Sequence, residues 1–131
     1  RMAAAQGNAD AMNNLGVSYS SGLGVRQDFA EAVRLYRMAA DHGSADGMNS
    51  LGYRYKNGQG VEKDEAEAVR WYRKAAELGD AAAQNNLGTC YAMGEGVEKD
   101  EAEAEKWFRK AADQGYPPAQ RNLSRLHGIP A

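Results

Sequence analysis

The chain has 131 residues, a net charge of -2, 43% apolar and 26% charged residues, and one cysteine, Cys90. That length suits a single domain, and the composition is that of a core-forming chain, not a disordered one. Near-neutral charge argues against an electrostatic grip on nucleic acid. No run approaches the roughly 18 apolar residues a membrane-spanning helix needs, so membrane insertion is not expected. A lone cysteine excludes an internal disulfide.

The opening stretch, Arg1 to Gly7, aligns with Arg37 to Gly43 and reads as the tail of a preceding repeat. With Arg1 in place of Met and no signal-peptide pattern, the chain is expected to be a piece of something longer, and nothing in it assigns a compartment. Shifted by 36 residues, the sequence recurs. Residues 8–43 and 44–79 agree at 21 of 36 positions, as do residues 44–79 and 80–115. Self-similarity of this kind marks a solenoid of stacked supersecondary units. The expected organisation is one solenoid domain over residues 1–131: the tail 1–7, repeats 8–43, 44–79 and 80–115, and a partial fourth repeat or capping helix over 116–131.

Within a repeat the first helix is predicted from about Ala9 to Ser20. Asn8, Ser44 and Asp80 stand at its N-cap in the three repeats. Ala11, Leu15 and Tyr19 form an apolar stripe at i, i+4, i+8, and Gly22 stops the helix. Gly16, Gly52 and Gly88 fall mid-helix, where glycine costs up to about 1 kcal/mol against alanine, so a close approach of two helices is expected there. The Gly22-Leu-Gly24 class of segment has neither the strand nor the Gly-Lys-Ser/Thr of a phosphate loop and reads as an inter-helix turn.

The second helix is predicted to start at Asp28. Asp28 with Glu31, Asp64 with Glu67 and Asp100 with Glu103 carry capping-box spacing. Ala32, Tyr36 and Ala39 supply its apolar stripe, and Gly43, Gly79 and Gly115 end it. Glu31/Arg34, Glu67/Arg70 and Glu103/Lys106 form i, i+3 pairs on a solvated face, each contributing only about 0.2–0.5 kcal/mol. The large fillers are Tyr19, Tyr36, Tyr55, Trp71, Tyr72, Tyr91, Trp107 and Phe108; one repeat alone cannot bury them, but stacked neighbours can. The Pro117-Pro118-Ala119-Gln120-Arg121-Asn122-Leu123 stretch opens a fourth first helix.

Leu-Gly-x-x-Tyr followed by Ala-x-x-x-aromatic-x-x-Ala is the tetratricopeptide pattern, but the period is two residues too long, with extra residues in the Gly-x-Gly-Val segment. The combination resembles the Sel-1-like repeat family, best seen from Leu51 through Tyr55, Gly58, Gly60, Val61, Asp64, Ala68, Trp71, Tyr72 and Ala75 to Gly79. Leu35 stands where Trp is usual, and Phe108 where Tyr is. The resemblance implies an all-α, right-handed α-solenoid of antiparallel helix pairs with a concave surface lined by the first helices. It implies adaptor work as a protein–protein interaction scaffold. Some family members staple each repeat with a cysteine pair; Cys90 alone does not support that branch or any enzymatic activity attached to it.

No residue set meets the geometry of catalysis, so no enzyme, cofactor or metal is expected. His42, His127 and Cys90 have neither metal-ligand spacing nor a nucleophile–base pattern. Cys90 shares its repeat position with Ser18 and Arg54 and is expected outside the deep core. The candidate site is the concave face. Asn13, Asn49 and Asn85 occupy one repeat position off the apolar stripe, with Asn14, Asn86, Asn122 and Ser50 beside them. Their amides suit the backbone of an extended peptide, or else order the stack by satisfying helix ends; both readings stay open. Tyr53, Lys56, Asn57, Thr89 and Met93 are groove positions where the repeats disagree, free to specify a partner. Arg121 and Arg125, four apart, suit a carboxylate or are an exposed pair at a polar cap. The partner expected is a protein or peptide, and self-association through open repeat ends is the alternative.

Overall fold

A computed structural model describes the backbone of residues 2–128 and the side chains of residues 8–128. Arg1, the side chains of residues 2–7 and residues 129–131 lie outside it, and with them much of the expected leading tail and the end of the partial fourth repeat. Seven helices follow in order: α1 (Met2–Ser21), α2 (Phe29–Asp41), α3 (Ala45–Asn57), α4 (Glu65–Glu77), α5 (Ala81–Met93), α6 (Glu101–Asp113) and α7 (Pro117–Leu126). No strand occurs among the described residues. Each helix packs on its neighbours in sequence, α1 also touches α3, and α5 touches α7. The result is an all-α solenoid of antiparallel helix pairs.

The second helix of each pair begins as its sequence predicts, by half of a capping box. Asp28, Asp64 and Asp100 accept from the backbone N–H of Glu31, Glu67 and Glu103 at 3.0–3.1 Å. The reciprocal half is replaced. The aspartate N–H groups donate instead to the carbonyls of Tyr19, Tyr55 and Tyr91, at 2.8, 2.9 and 2.9 Å. Each bond stitches the start of a second helix to the last turn of the first. The three glutamates, relieved of capping, pair with Arg34, Arg70 and Lys106.

The helix-pair spacing is set by glycine. A Cβ on Gly16 would lie 2.7 Å from the Tyr36 ring, one on Gly52 2.9 Å from Tyr72, and one on Gly88 2.7 Å from Phe108. In every pair an aromatic ring of the second helix comes into close contact with bare backbone of the first. Repeat-to-repeat contact uses glycine as well: a Cβ on Gly60 would run into the Phe29 carbonyl and one on Gly96 into that of Glu65. The turn of one repeat therefore rests on the start of the previous repeat's second helix. Gly24, the first-repeat equivalent, has nothing within 4 Å.

Three expectations need correction. Ser44 and Asp80 cap α3 and α5, but Asn8 does not cap α1, which runs unbroken from Met2. Alanine at residues 3–5 is the strongest helix former, and among the described residues no helix pair precedes α1 to turn the chain there. Leu15 is 45% exposed, whereas its equivalents Leu51 and Leu87 are fully buried by the repeat before them; Ala11 is exposed for the same reason. Cys90 is in the core, 1% exposed. Its repeat position is a core position that Arg54 occupies by laying its stem inward, with its guanidinium over Phe29 and Tyr53.

Gly52→Ala tests the glycine contact. An exposed mid-helix Gly→Ala change stabilises by about 1 kcal/mol; here the overpacked Tyr72 ring should reverse the sign, to a loss of about 1–3 kcal/mol in urea unfolding. A gain in stability would show that the ring gives way freely.

Candidate functional site

The first helices α1, α3, α5 and α7 present one repeat-periodic face, held together by side-chain amides. Asn86 Nδ2 donates to Asn49 Oδ1 at 2.8 Å, and Asn122 Nδ2 to Asn85 Oδ1 at 2.9 Å. At the remaining step Ser50 Oγ donates to Asn13 Oδ1 at 3.4 Å, a weaker link from a shorter side chain. Each bond joins adjacent first helices, one repeat and one residue apart. The two asparagine rows thus have different jobs. The Asn86 and Asn122 row donates backward, and the Asn13, Asn49 and Asn85 row accepts through oxygen. The Nδ2 groups of Asn13, Asn49 and Asn85 donate to no acceptor among the described residues. Asn13 and Asn85 are nonetheless buried, so the row lies at the floor of the face.

The other predicted groove residues divide by what already holds them. Lys56 pairs with Glu95 of the next repeat at 3.4 Å. Asn57 Nδ2 donates to the Tyr53 carbonyl in its own helix at 2.9 Å. These two are partly spent on internal contacts. Tyr53 is half-exposed, its ring under the Arg54 guanidinium at 4.7 Å. Arg121 is exposed.

Thr89, Met93 and Arg125 come together. They line a hollow of about 320 Å³ between α5 and α7, with Ala92, Phe108, Asn122 and Leu126. Met93 is 65% exposed on its rim. Thr89 Oγ1 donates back to the Asn85 carbonyl at 3.1 Å. Arg125 Nη1 donates to Asn122 Oδ1 at 3.1 Å, and Asn122 is itself pinned to Asn85, so the guanidinium is positioned through the amide row. The sequence did not point to Phe108 or Leu126 as lining residues; Phe108 reads as core bulk, and only the loss of its hydroxyl relative to Tyr36 and Tyr72 hinted otherwise.

Two carboxyls meet at the start of α5. Asp80, the α5 cap, has its carboxyl pushed up by burial and, secondarily, by a hydrogen bond with the Asp46 carboxyl. The Cys90 thiol is pushed up to about 11, chiefly by burial, which suits packing and not nucleophilic chemistry. Among the described residues no group of three or more His, Cys, Asp or Glu side chains is placed to hold a metal, and no helix is long and apolar enough to cross a membrane.

The Sel1 repeat model matches residues 9–44, 45–80 and 81–116. The chain belongs to the Sel1 repeat family. Repeats of this family are generally protein–protein interaction modules. Among solved structures, the chain is similar to c5321, a protective antigen present in uropathogenic Escherichia coli strains that displays an SLR fold. The identity is 40% and the TM-score 0.87, over 95% of this chain and 27% of that one. A Sel1 repeat protein from Oxalobacter formigenes is 38% identical with TM-score 0.84, over 91% of this chain and 49% of that one. Helicobacter pylori cysteine rich protein B is 29% identical with TM-score 0.74, over 93% and 94%. The chain therefore spans about a quarter and a half of the first two. No curated protein sequence matches it.

Two measurements check this geometry. Asn86→Ala leaves Asn49 Oδ1 without its donor and should cost about 1–2 kcal/mol; in the Asn49→Ala/Asn86→Ala double variant the two costs should fall short of additive. Strict additivity would show that the ladder bond contributes nothing. Separately, a thiol reagent at pH 8 should label Cys90 only through unfolding, with a rate that climbs steeply with urea; rapid labelling of the native protein would contradict its burial.

Proposed function

We propose that this Sel1 repeat chain is a non-enzymatic scaffold that holds an extended segment of a partner protein along the concave side formed by α1, α3, α5 and α7. The observation that supports it is the division of labour in the amide row. The oxygens of Asn13, Asn49 and Asn85 are fixed by the next repeat, which orients the side chains. Their Nδ2 donors remain unspent at one-repeat intervals. Orienting a donor before the ligand arrives lowers the entropic cost of binding, and backbone carbonyls of an extended peptide are matching acceptors. Tyr53, Thr89 and Met93, which differ from repeat to repeat, then select side chains. No catalytic role is proposed for any residue.

Asn49→Asp is the discriminating variant. It keeps the oxygen that Asn86 needs and removes the free donor. Peptides selected by display on the wild type should bind Asn49→Asp about tenfold more weakly, the loss of one hydrogen bond to a partly desolvated partner. The deficit should persist at high salt, which screens the added charge, and stability should be unchanged. Undiminished binding would mean that the row only orders the stack.

A second reading is favoured by the N-terminal end. Leu15 and Val17 are exposed, and Gly24 faces open space where Gly60 and Gly96 meet a neighbouring helix pair. This surface suits stacking against another repeat, in the parent chain or in a second copy. Solution mass should then rise with protein concentration, and Leu15→Glu should abolish the rise. A concentration-independent monomer would leave only stacking within the parent chain.

A further inference from the structure

Asn57 is the only asparagine in the chain that a glycine follows. The pair carries its own chemistry. The side-chain carbonyl carbon of an asparagine stands one ring closure from the next backbone nitrogen, and a glycine there puts no Cβ in the way. Asn57 is also placed unlike the other asparagines. Those lie inside α1, α3, α5 and α7 with helix on either side, whereas Asn57 is the last residue of α3 and is exposed. Gly58 follows it in the left-handed conformation, φ 65° and ψ 45°.

The same ring closure is open by sequence to Asp46-Gly47, and the structure shuts it. Gly47 is buried in the first turn of α3, and its N–H donates to Ser44 Oγ at 3.0 Å. A Cβ there would lie 2.7 Å from that of Ala39, so the backbone has no room to turn. At Asn57 the restraints are few and belong to one helical turn. Asn57 Nδ2 donates to the Tyr53 carbonyl at 2.9 Å, which keeps the leaving group engaged. The Gly58 N–H donates to the Arg54 carbonyl, which keeps the attacking nitrogen occupied, and the Gln59 N–H joins it there at 3.0 Å. Lys56, in the same turn, is tied to Glu95 of the next repeat at 3.4 Å. Together these contacts latch a reactive pair. Helix ends are where local opening needs least free energy.

We propose that Asn57 is a deamidation site, latched by the last turn of α3 and released when that turn opens. On opening, the Gly58 amide nitrogen, having lost its proton to hydroxide, attacks Asn57 Cγ. The N–Cγ bond forms, the Cγ–Nδ2 bond breaks, and Nδ2 leaves as ammonia with a proton taken from solvent. Water then opens the cyclic imide at either carbonyl and leaves aspartate or isoaspartate at position 57. No oxidant, enzyme or cofactor is consumed. The product cannot restore the latch. A carboxylate has no hydrogen to donate to the Tyr53 carbonyl, and it sets a negative charge at a helix C-terminus, where the macrodipole disfavours it. In isoaspartate the main chain also gains a methylene. The change is one-way and lies beside the half-exposed Tyr53. It is confined to the second repeat, since the equivalent residues are Ser21 and Met93. It stands apart from the scaffold reading.

The test uses the chain as it is. The folded protein is held at mildly alkaline pH, and its peptides are followed by mass spectrometry with fragmentation that tells isoaspartate from aspartate. Amide-to-acid conversion should appear at Asn57 ahead of the other asparagines, with isoaspartate present, and should quicken with pH because the attacking nitrogen must lose its proton. Urea below the unfolding transition should quicken it further. Glu95→Gln should do so by about two- to fivefold, the effect of releasing one ion pair of modest strength. Asn57→Gln should give no product at this position over the same period. Asn57→Asp, a direct product of ring opening, should exchange its Gly58 and Gln59 amide hydrogens faster than the wild type. Conversion at other asparagines as fast as at Asn57 overturns the proposal. So does an Asn57 that stays intact in the folded protein, whatever the urea-unfolded chain does there. A rate indifferent both to mild urea and to Glu95→Gln overturns it as well, because the turn then plays no part.

Discussion

The contact between an aromatic ring and a bare glycine is the constraint on which the rest of this solenoid depends. Tyr36 on Gly16, Tyr72 on Gly52 and Phe108 on Gly88 fix how closely each helix pair approaches, and large rings contribute most of the apolar area a small repeat can bury. With that distance set, the tyrosine at the end of each first helix reaches the N-cap of the second through its carbonyl. The Gly-x-Gly turn then comes to rest on the preceding pair. Helix geometry, turn and stacking follow from one repeated close approach.

Neighbouring repeats are joined by polar devices that share one logic. Arg37 donates to the Tyr55 hydroxyl and Arg73 to that of Tyr91, each from a second helix to the next first helix. The asparagine ladder does the same between first helices. In each case a group that would otherwise sit partly buried and unsatisfied is met by the following repeat, so stacking and polar satisfaction are achieved together. The ladder has a further consequence: because an amide has two ends, one can be structural while the other remains available. The choice between a binding row and an ordering row is therefore not exclusive, as the oxygens order the stack whatever the donors do.

Function in such an array is carried by departures from the repeat. Shared residues build the solenoid; where the repeats disagree, the face acquires local character. The pairs Ser20/Tyr36, Lys56/Tyr72 and Ala92/Phe108 show one structural position held by two hydroxyls, then by a cation that reaches Glu95 of the next repeat, then by apolar residues alone. Charge differs between first helices as well: α3 carries Asp46, and α7 carries Arg121 and Arg125.

Local chemistry and periodicity made most of the fold legible before any coordinates. A second helix starts where aspartate can cap it, turns where glycine permits, and stacks because the 36-residue recurrence forces the same surface on each unit. The family resemblance rested on those same positions. Tertiary structure decided what depends on neighbours. Leu15 is exposed and Leu51 buried with the same local sequence, since burial is conferred by the repeat before. Cys90 is core despite sharing a position with Arg54, because a long side chain can lay its charged end over the Phe29 and Tyr53 rings, while a short one simply fills the site. Lys56 and Asn57 looked free and are engaged, and the hollow at Ala92 appears only when α5, α6 and α7 are placed together. Residue type dictates how each segment folds, but a cavity and a free donor are properties of several segments at once, and no single stretch of sequence contains them.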